Sequence, residues 1–388
     1  MRKICFITGS RADYGIMSGL MHRVKDSPEA EIQIVATNMH LSEHHGLTVN
    51  EIIKDGFKVN WRVDSDLKGD SADDTIRSMG ATMAGMASAF KELKPDIAVI
   101  LGDRYEMLAT ASAANIMNIP VAHLHGGEVT EGAYDDSMRH AITKLSYYHF
   151  AATEESAKRI IQMGESPENV FNYGSLGVEN IFSTELFSLE ELEKELKFDF
   201  SGRYFVVAFH PETRQPGEEM IQTQSFIKSI EYYINKGWKF IVTLPNSDTG
   251  NLSIAALFKD LALKHPENVY ATPSLGKKKF FSSLAYSSGI IGNSSSGLIE
   301  APSFHIPTIN VGDRQKGRLR GPSVIDSECD TTSIIKAIGK GLSAEFNREI
   351  KELSQEELNP YYKKNVAENI CNKLIKGNLS AIKKFYDL

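Results

Sequence analysis

The sequence predicts an α/β fold with two doubly wound domains, and three observations support this prediction. Short β-branched and apolar runs alternate with longer helical patterns along most of the chain. Several of these runs are apolar without alternation, which is typical of parallel strands covered on both faces. A length of 388 residues suffices for two domains that each bury their own core.

The first half of the chain is a βα repeat. Strands are predicted at residues 4–8, 32–36, 97–101, 120–124, 149–152 and 170–173. Helices with apolar residues at three- and four-residue spacings are predicted at 16–25, 81–93, 107–117 and 156–163. Because crossovers between parallel strands are right-handed, a doubly wound sheet is the expected closure.

The βα pattern restarts after a segment, residues 176–203, that lacks strand character. Strands of the second half are predicted at 204–209, 239–244, 269–271, 289–291 and 307–311. The domain junction is therefore expected near residues 174–177. We predict an N-terminal domain over 1–175, a second domain over 176–365 and a C-terminal helix over 366–388 that packs back across the cleft.

The composition is that of a soluble globular protein, with 41% hydrophobic and 24% charged residues. A net charge of -7 argues against nucleic-acid binding, which depends on clustered cations. Cys5, Cys329 and Cys371 show no CxxC spacing and indicate neither a disulfide framework nor a zinc site, so a reducing cytoplasm is expected. No apolar stretch suits a secretory signal or a membrane span.

Two small-residue loops follow predicted strands, one in each half. Residues 10–13 (Ser-Arg-Ala-Asp) follow the apolar run 4–7, and residues 292–297 (Gly-Asn-Ser-Ser-Ser-Gly) follow the run 289–291. Small residues let the backbone approach a phosphate, and the N-terminus of a following helix supplies amide donors. The pair predicts a ligand held between two domains, at the carboxyl ends of their strands.

Ionisable residues cluster after successive strands of the first half. Asp103 and Arg104 follow one strand, His125 and Glu128 follow the next, and Asp135 lies further along. Strand ends of a parallel sheet converge on one crevice, where neighbouring carboxyl groups can serve as acid and base. Asp103 and Asp135 could instead cap helices, and His125 could be an ordinary strand-end histidine. A capping role does not suit Glu128, which follows a Gly-Gly turn.

In the second half, His210 precedes a proline that fixes the turn at a strand end and directs the imidazole towards the cleft. Arg314 and Arg318 could balance phosphate charge or belong to a solvated basic loop. Glu300, in the first turns of a predicted helix, could accept both hydroxyls of a ribose, and helix-end electrostatics is the alternative. Neither a Walker A nor a GxGxxG sequence is present, which disfavours an ATPase or a nicotinamide enzyme.

Seven motifs together resemble the bacterial hydrolysing UDP-N-acetylglucosamine 2-epimerases. They are GSRADYG at 9–15, LGDRYE at 101–106, HGGE at 125–128, RHAITK at 139–144, FHPET at 209–213, GNSSSG at 292–297 and GDRQKGR at 312–318. The motifs follow the family's order and cover about the first 330 residues.

The resemblance implies a glycosyltransferase-B-like fold, in which two Rossmann-type domains face a cleft. It also implies a reaction in which a proton leaves carbon 2 of the sugar and UDP departs by anti elimination. Water then adds to the 2-acetamidoglucal intermediate and releases N-acetylmannosamine for sialic acid synthesis. The chemistry implied needs a positioned acid and base, and it needs no cofactor and no metal.

The resemblance also assigns site residues. Around the sugar it implies acid/base roles for Asp103, Glu128 and Asp135, with His125 and His210 as further catalytic residues. Around UDP it implies Arg11, Arg104, Gly174, His210, Asn246, Ser294, Ser295, Glu300 and Arg314. Within that set, Glu300 would take the ribose hydroxyls, and Ser294 and Ser295 would bind the diphosphate.

One position departs from many non-hydrolysing relatives, which carry a Glu where this chain has Gly126 or Gly127. The carboxylate here stands slightly later in the loop, so either His125 or Glu128 could remove the proton. Three alternatives remain: a non-hydrolysing 2-epimerase, a hydrolysing enzyme for a 4-acetamido-6-deoxy nucleotide sugar of legionaminic acid synthesis, and a retaining glycosyltransferase. The expected partners are a UDP-sugar, UDP and further copies of the chain, in a cytoplasmic homodimer or dimer of dimers.

Overall fold

The computed structural model describes residues 1–69, 71–131, 133–210, 219–245 and 251–388. The chain divides into two compact units. The first unit comprises Met1–Glu128, Asp135–Asn180 and Lys363–Leu388, and the second comprises Val129–Tyr134 and Ile181–Tyr362. The strand pairs recorded within the described residues are all parallel, which confirms the predicted α/β class.

A seven-stranded sheet lies at the centre of the described part of the first unit. Its strands are β1 (Arg2–Thr8), β2 (Ala30–Thr37), β3 (Trp61–Val63), β4 (Ile97–Leu101), β5 (Val121–Leu124), β6 (Tyr148–Ala151) and β7 (Val170–Asn172). The order across the sheet is β3-β2-β1-β4-β5-β6-β7, so the winding direction changes between β1 and β4. In doubly wound sheets such a change opens a crevice at the carboxyl ends of the strands.

Helices connect these strands on both faces. They are α1 (Arg11–Lys25), α2 (Val49–Lys54), α3 (Ala72–Leu93), α4 (Tyr105–Ile116), α5 (Asp135–Leu145), α6 (Glu154–Gln162) and, after β7, α7 (Leu176–Ser183). Helix α1 begins earlier than predicted because of a capping box. The Ser10 hydroxyl accepts a hydrogen bond from the backbone N–H of Asp13, and the Asp13 carboxylate accepts one from the backbone N–H of Ser10.

The second unit repeats this architecture with a six-stranded sheet in its described part. In chain order its elements are α8 (Leu189–Leu196), β8 (Tyr204–Ala208), α9 (Glu219–Ile234), β9 (Lys239–Thr243), α10 (Asn251–Lys264), β10 (Val269–Thr272), α11 (Gly276–Tyr286), β11 (Ile290–Gly292), α12 (Ser295–Ile299), β12 (Thr308–Val311), β13 (Val324–Ser327), α13 (Thr331–Gly341), α14 (Ala344–Glu352) and α15 (Gln355–Leu358). The order β10-β9-β8-β11-β12-β13 changes direction between β8 and β11.

The last helix, α16 (Val366–Lys376), ends well before residue 388, so the predicted helix over 366–388 is too long; α16 belongs to the first unit and packs against α1. Its apolar residues Val366, Ile370 and Leu374 are buried in the same core as Met17 and Leu20 of α1. Among the helices described, none is both long and apolar enough to cross a bilayer.

Candidate functional site

The centre of the first unit's candidate site is Arg139 of α5, a side chain that is only 1% exposed. Its guanidinium forms an ion pair with Asp103, which follows β4, and Nη1 donates to the backbone oxygen of Glu128 at 2.9 Å. Asp136 lies 3.8 Å from the same Nη1. One buried cation thus fixes the positions of two of the predicted acid/base residues.

The capping interpretation of Asp103 is wrong. Arg104 occupies the N-cap position of α4, with no capping bond from its side chain, and Asp103 is instead the partner of Arg139. Asp135 is the first residue of α5 rather than its N-cap, and it lies there beside Asp136. Two carboxylates in the first turn of a helix are favoured by the helix dipole.

Glu128 is 4% exposed and pairs with His125. The distance from His125 Nδ1 to Glu128 Oε1 is 2.7 Å, and His125 Nε2 lies 3.3 Å from the hydroxyl of Ser175, which follows β7. His125 adopts a φ of 62°, a conformation that costs a non-glycine residue energy. The imidazole is therefore held against Glu128 at some expense of backbone strain.

His123, in contrast, is a structural residue. It is fully buried on β5, and its ring nitrogens lie 2.7 Å from the carbonyl oxygen of Gly102 and 3.2 Å from Thr143 Oγ1. Burial lowers the pKa of His123 to about 3, so the ring is neutral near pH 7.

The Gly-Gly turn before Glu128 is packed tightly against two helices. A Cβ at Gly127, where φ is 75°, would lie 2.4 Å from the backbone oxygen of Ser156 on α6. A Cβ at Gly126 would lie 2.8 Å from His123 Nδ1 and 3.0 Å from Thr143 Oγ1. No side chain fits at either position, so the carboxylate of this loop must stand at residue 128.

The loop of residues 10–13 lies at the carboxyl end of β1. Arg11 begins α1, and its guanidinium pairs with Glu51 of α2. Burial raises the pKa of Asp13 to about 6, and Arg104 opposes that rise. Arg104 Nε in turn donates to the fully buried Glu106 at 2.7 Å. The loop therefore contains or contacts a buried charge cluster formed by the carboxyl groups of Asp13 and Glu106 and the guanidinium of Arg104.

Gly174 lies at the other edge of the first unit, after β7. Its φ is 90°, and a Cβ there would lie 2.7 Å from the Cβ of Lys363. Only glycine suits this position, and the turn it permits brings Ser175 to His125.

In the second unit, the small-residue loop joins β11 to α12. Gly292 has a φ of 141°, and a Cβ there would lie 2.0 Å from the backbone oxygen of Ala208 on β8. Ser294 is the N-cap of α12 and accepts the N–H of Ser296 at 3.4 Å, and Ser295 is the first helical residue. This is the strand, glycine turn and helix N-terminus that phosphate groups favour.

The fully buried Asn293 fixes this loop to the end of β8. Its Oδ1 accepts the backbone N–H of His210 at 2.7 Å, and its Nδ2 donates to the His210 carbonyl at 2.9 Å. The Asn293 carbonyl accepts from Arg314 Nη1 at 3.2 Å and from Gln315 Nε2 at 2.8 Å. The loops after β8, β11 and β12 therefore converge, and they bring His210, Ser294 and Arg314 together.

Two expectations for the second unit need correction. Glu300 is the C-cap of α12 and not part of its first turns, because the helix ends at Ile299. Glu300 is buried, and it is also the N-cap residue of the short 3-10 helix Ala301–Phe304, where its side chain makes no capping hydrogen bond. Arg318 is only 7% exposed and donates to Gln315 Oε1 at 3.0 Å, so it does not belong to a solvated basic loop. Asn246 lies outside the described residues.

Sequence reasoning missed Arg139, Asn293, Gln315 and Ser175 as parts of these sites. Arg139 stands in an amphipathic helix and suggests a surface charge, and nothing local signals that it is buried. Asn293 stands in the predicted small-residue loop, but its partner His210 is distant in sequence, so nothing local signals its role. Within the described residues, no three His, Cys, Asp or Glu side chains are grouped so as to hold a metal ion.

Comparison with known proteins shows which family this chain resembles. A family model described as UDP-N-acetylglucosamine 2-epimerase matches residues 22–375. The polysialic acid biosynthesis protein P7 of Escherichia coli is 39% identical over 392 residues, covering 100% of this chain and 98% of the relative. The GDP/UDP-N,N'-diacetylbacillosamine 2-epimerase (hydrolyzing) of Campylobacter jejuni is 38% identical over 347 residues, covering 89% of each.

The solved structures agree with the fold. The crystal structure of UDP-GlcNAc 2-epimerase from Neisseria meningitidis bound to UDP-GlcNAc matches with a TM-score of 0.78 at 17% identity, covering 97% of this chain and 100% of that one. The predicted glycosyltransferase-B-like fold of two Rossmann-type units is thereby confirmed.

Proposed function

Because this chain belongs to the UDP-N-acetylglucosamine 2-epimerase family, we propose that it is a hydrolysing 2-epimerase, which converts UDP-N-acetylglucosamine and water into N-acetylmannosamine and UDP. The observation that carries the proposal is the group of Asp103, Glu128 and His125 ordered by one buried arginine. It supplies more than one proton-transferring group beside a fixed positive charge.

The proposed reaction has two steps. A base takes the proton from carbon 2, the C1–O bond breaks, and its electron pair leaves with UDP, which gives 2-acetamidoglucal. Water then adds its oxygen to carbon 1 while an acid gives a proton to carbon 2 on the opposite face, and the proton that the water loses reprotonates that acid. The base and the acid must therefore stand on different sides of the ring, which requires at least two groups of the Asp103, Glu128 and Asp135 type.

We assign the sugar chemistry to the N-terminal domain, 1–175, and UDP binding mainly to the second, 176–365. Asp103, Glu128 and Asp135 act as acid and base, aided by His125 and His210. The UDP ligands are Arg11, Arg104, Gly174, His210, Asn246, Ser294, Ser295, Glu300 and Arg314.

The diphosphate site is supported by electrostatics. The Arg314 guanidinium donates to the Asn293 carbonyl, one residue before the N-cap of α12, and both this cation and the helix N-terminus favour an anion. Negative charge grows on the phosphate oxygen as the C1–O bond breaks. Groups already in place stabilise that charge without reorganisation. The buried Glu300 would accept the ribose hydroxyls.

A second substrate is supported by one of the relatives. The Campylobacter jejuni protein is named as acting on diacetylbacillosamine nucleotides, and its identity of 38% is close to the 39% of the polysialic acid protein. UDP-2,4-diacetamido-2,4,6-trideoxy-glucose is therefore the alternative substrate of the same reaction. We further propose that the enzyme works in the cytoplasm as a homodimer or dimer of dimers and feeds sialic acid synthesis.

Incubation of the purified chain with UDP-N-acetylglucosamine alone tests the proposal, with products identified by ¹H NMR. Free UDP and N-acetylmannosamine are expected. UDP-N-acetylmannosamine would indicate a non-hydrolysing enzyme, and turnover only with an added acceptor would indicate a glycosyltransferase. UDP release from the diacetamido substrate alone would establish the alternative.

Glu128→Gln is the control for contaminating activity in this experiment. It keeps the shape of the side chain and should bind UDP as the wild type does, while turnover is lost. Turnover equal to wild type in this variant would remove Glu128 from the acid/base residues.

A further inference from the structure

The hydrogen bonds of His125 form a row of three side chains within the first unit. Glu128 contacts Nδ1 at 2.7 Å, and Ser175 contacts Nε2 at 3.3 Å. Ser175 is fully buried, Glu128 is 4% exposed and the His125 side chain 12% exposed. Both ring nitrogens therefore have a partner, and the plane of the imidazole is fixed.

The row resembles a nucleophilic triad in composition but not in accessibility. A nucleophilic serine must reach its substrate, and the Ser175 hydroxyl has no exposed surface. Ser175 therefore acts on the imidazole of His125, and through this imidazole it can influence proton transfer by Glu128.

A hydroxyl is suited to this position because it can both donate and accept a hydrogen bond. When Glu128 is ionised, Nδ1–H donates to it, and Nε2 accepts from the Ser175 hydroxyl. When Glu128 is protonated, its O–H can donate to Nδ1, and Nε2–H then donates to the Ser175 oxygen. In each arrangement both ring nitrogens keep a hydrogen-bond partner.

Resting on the proposed function, we propose that Ser175 is a positioning residue that keeps His125 bonded to Glu128 in both protonation states of that carboxyl group. An acid/base residue must pass through both states in each turnover. Loss of the hydroxyl would leave a ring nitrogen with no fixed partner and would leave the imidazole free to rotate away from Glu128.

The backbone near Ser175 supports this role. The turn before it depends on Gly174, whose positive φ and close contact with Lys363 admit no side chain. On the other side, the Ser175 carbonyl accepts the N–H of Glu179 and so begins α7. The turn at Gly174 and the start of α7 therefore both restrict the position of the Ser175 hydroxyl beside His125.

The test compares Ser175→Ala with Ser146→Ala. Ser146 is equally buried in the first unit and donates to the Ile142 carbonyl, away from the row. For Ser175→Ala we expect kcat to fall by about ten- to a hundredfold, while KM and the Kd for UDP stay within about twofold of wild type. Ser146→Ala should retain the wild-type kcat, and Ser175→Thr, which restores the hydroxyl, should recover most of it.

A second measurement does not depend on turnover. In protein with ¹⁵N-labelled histidine, the His125 nitrogens should report a single neutral tautomer protonated at Nδ1, and Ser175→Ala should give a mixture. Three results would overturn the proposal: a wild-type kcat in Ser175→Ala, a rise in KM as large as the fall in kcat, or His125 nitrogen shifts that the substitution leaves unchanged. If the wild type converts neither UDP-sugar, the proposed function fails, and the nitrogen shifts still decide whether the row exists.

Discussion

At the scale of single residues, the buried charge of Arg139 determines how the acid/base residues can be tested. A guanidinium that is 1% exposed is tolerated only while anions face it, and Asp103 is a closer partner than Asp136, which lies 3.8 Å away. Removal of Asp103 leaves the buried charge less well compensated. Loss of activity in an Asp103 variant therefore has two possible causes, which stability measurements can separate.

We predict that Asp103→Asn lowers the free energy of unfolding by about 1–3 kcal/mol in addition to abolishing turnover. The cost is below that of a fully buried pair because the Asp103 side chain is 24% exposed. Urea denaturation measures it. Asp260→Asn, which removes an exposed pair with Lys264 on α10, should change stability by less than about 0.5 kcal/mol. Equal stabilities in the two variants would contradict the role given to Arg139.

Residue types at strand ends identified much of each site, and burial accounts for what they did not identify. Asp103, Glu128 and Ser294 could be found because polar residues after a strand of a doubly wound sheet stand at its carboxyl edge. Arg139 and Asn293 could not be identified as site residues in the same way, because the contacts that define their roles are with residues distant in sequence. Arg139 pairs with Asp103, and Asn293 bonds the backbone of His210.

At the scale of elements, the turn between β11 and α12 depends on a backbone conformation that only glycine adopts. Gly292→Ala would place a methyl group 2.0 Å from the Ala208 oxygen at a φ of 141°. We predict a loss of more than about 2 kcal/mol of stability and a weaker affinity for UDP, because the strand end and the helix start would both shift. Urea denaturation and titration calorimetry measure the two effects.

Gly339→Ala provides the matched control for that substitution. Gly339 lies on an exposed part of α13, and no atom lies within 4 Å of the Cβ it would acquire. Alanine should stabilise the helix there by up to about 1 kcal/mol and leave UDP binding unchanged. A Gly292→Ala variant that behaved like this control would show that the turn tolerates a side chain.

The central strands and the edge strands β7 and β10 were predictable, whereas the edge strands β3 and β13 were not. β4 was predicted at its observed bounds, Ile97–Leu101, because each of its residues is apolar and buried. β3 (Trp61–Val63) and β13 (Val324–Ser327) are short, carry exposed polar residues and pair on one side only, so their sequences have no clear periodicity. Helix α3 began earlier than predicted, because its first turns are polar and its start is set by a capping box at Ser71.

At the scale of the whole molecule, buried neutral histidines predict sensitivity to acid. Burial lowers the pKa of His40 to about 4 and that of His123 to about 3, and both side chains are fully buried. Below pH 6.5 the unfolded chain binds protons that the folded chain does not. Stability therefore falls as pH drops from about 6.5 towards 4, by up to about 1.4 kcal/mol per pH unit for each histidine. Asp13, with a pKa raised to about 6, has the opposite effect: the folded chain binds its proton more readily than the unfolded chain, so this group adds stability as the pH falls.

Urea denaturation between pH 7 and pH 5 tests this prediction through His40→Gln. This variant should be less stable at pH 7, because His40 bonds Thr8 and Thr48, and it should lose stability less steeply on acidification. The exposed His22→Gln should keep the wild-type slope. Equal slopes in all three proteins would show that His40 gains its proton without unfolding.

The glycine pair before Glu128 limits how this chain could be converted into a different epimerase. With Ser156 and Ile160 of α6 against one glycine, and His123 and Thr143 against the other, a carboxylate could be moved upstream only if a helix moved with it. An evolutionary or engineered route between the two loop types must therefore change the loop together with the residues of β5, α5 and α6 that pack against it, as one exchangeable block.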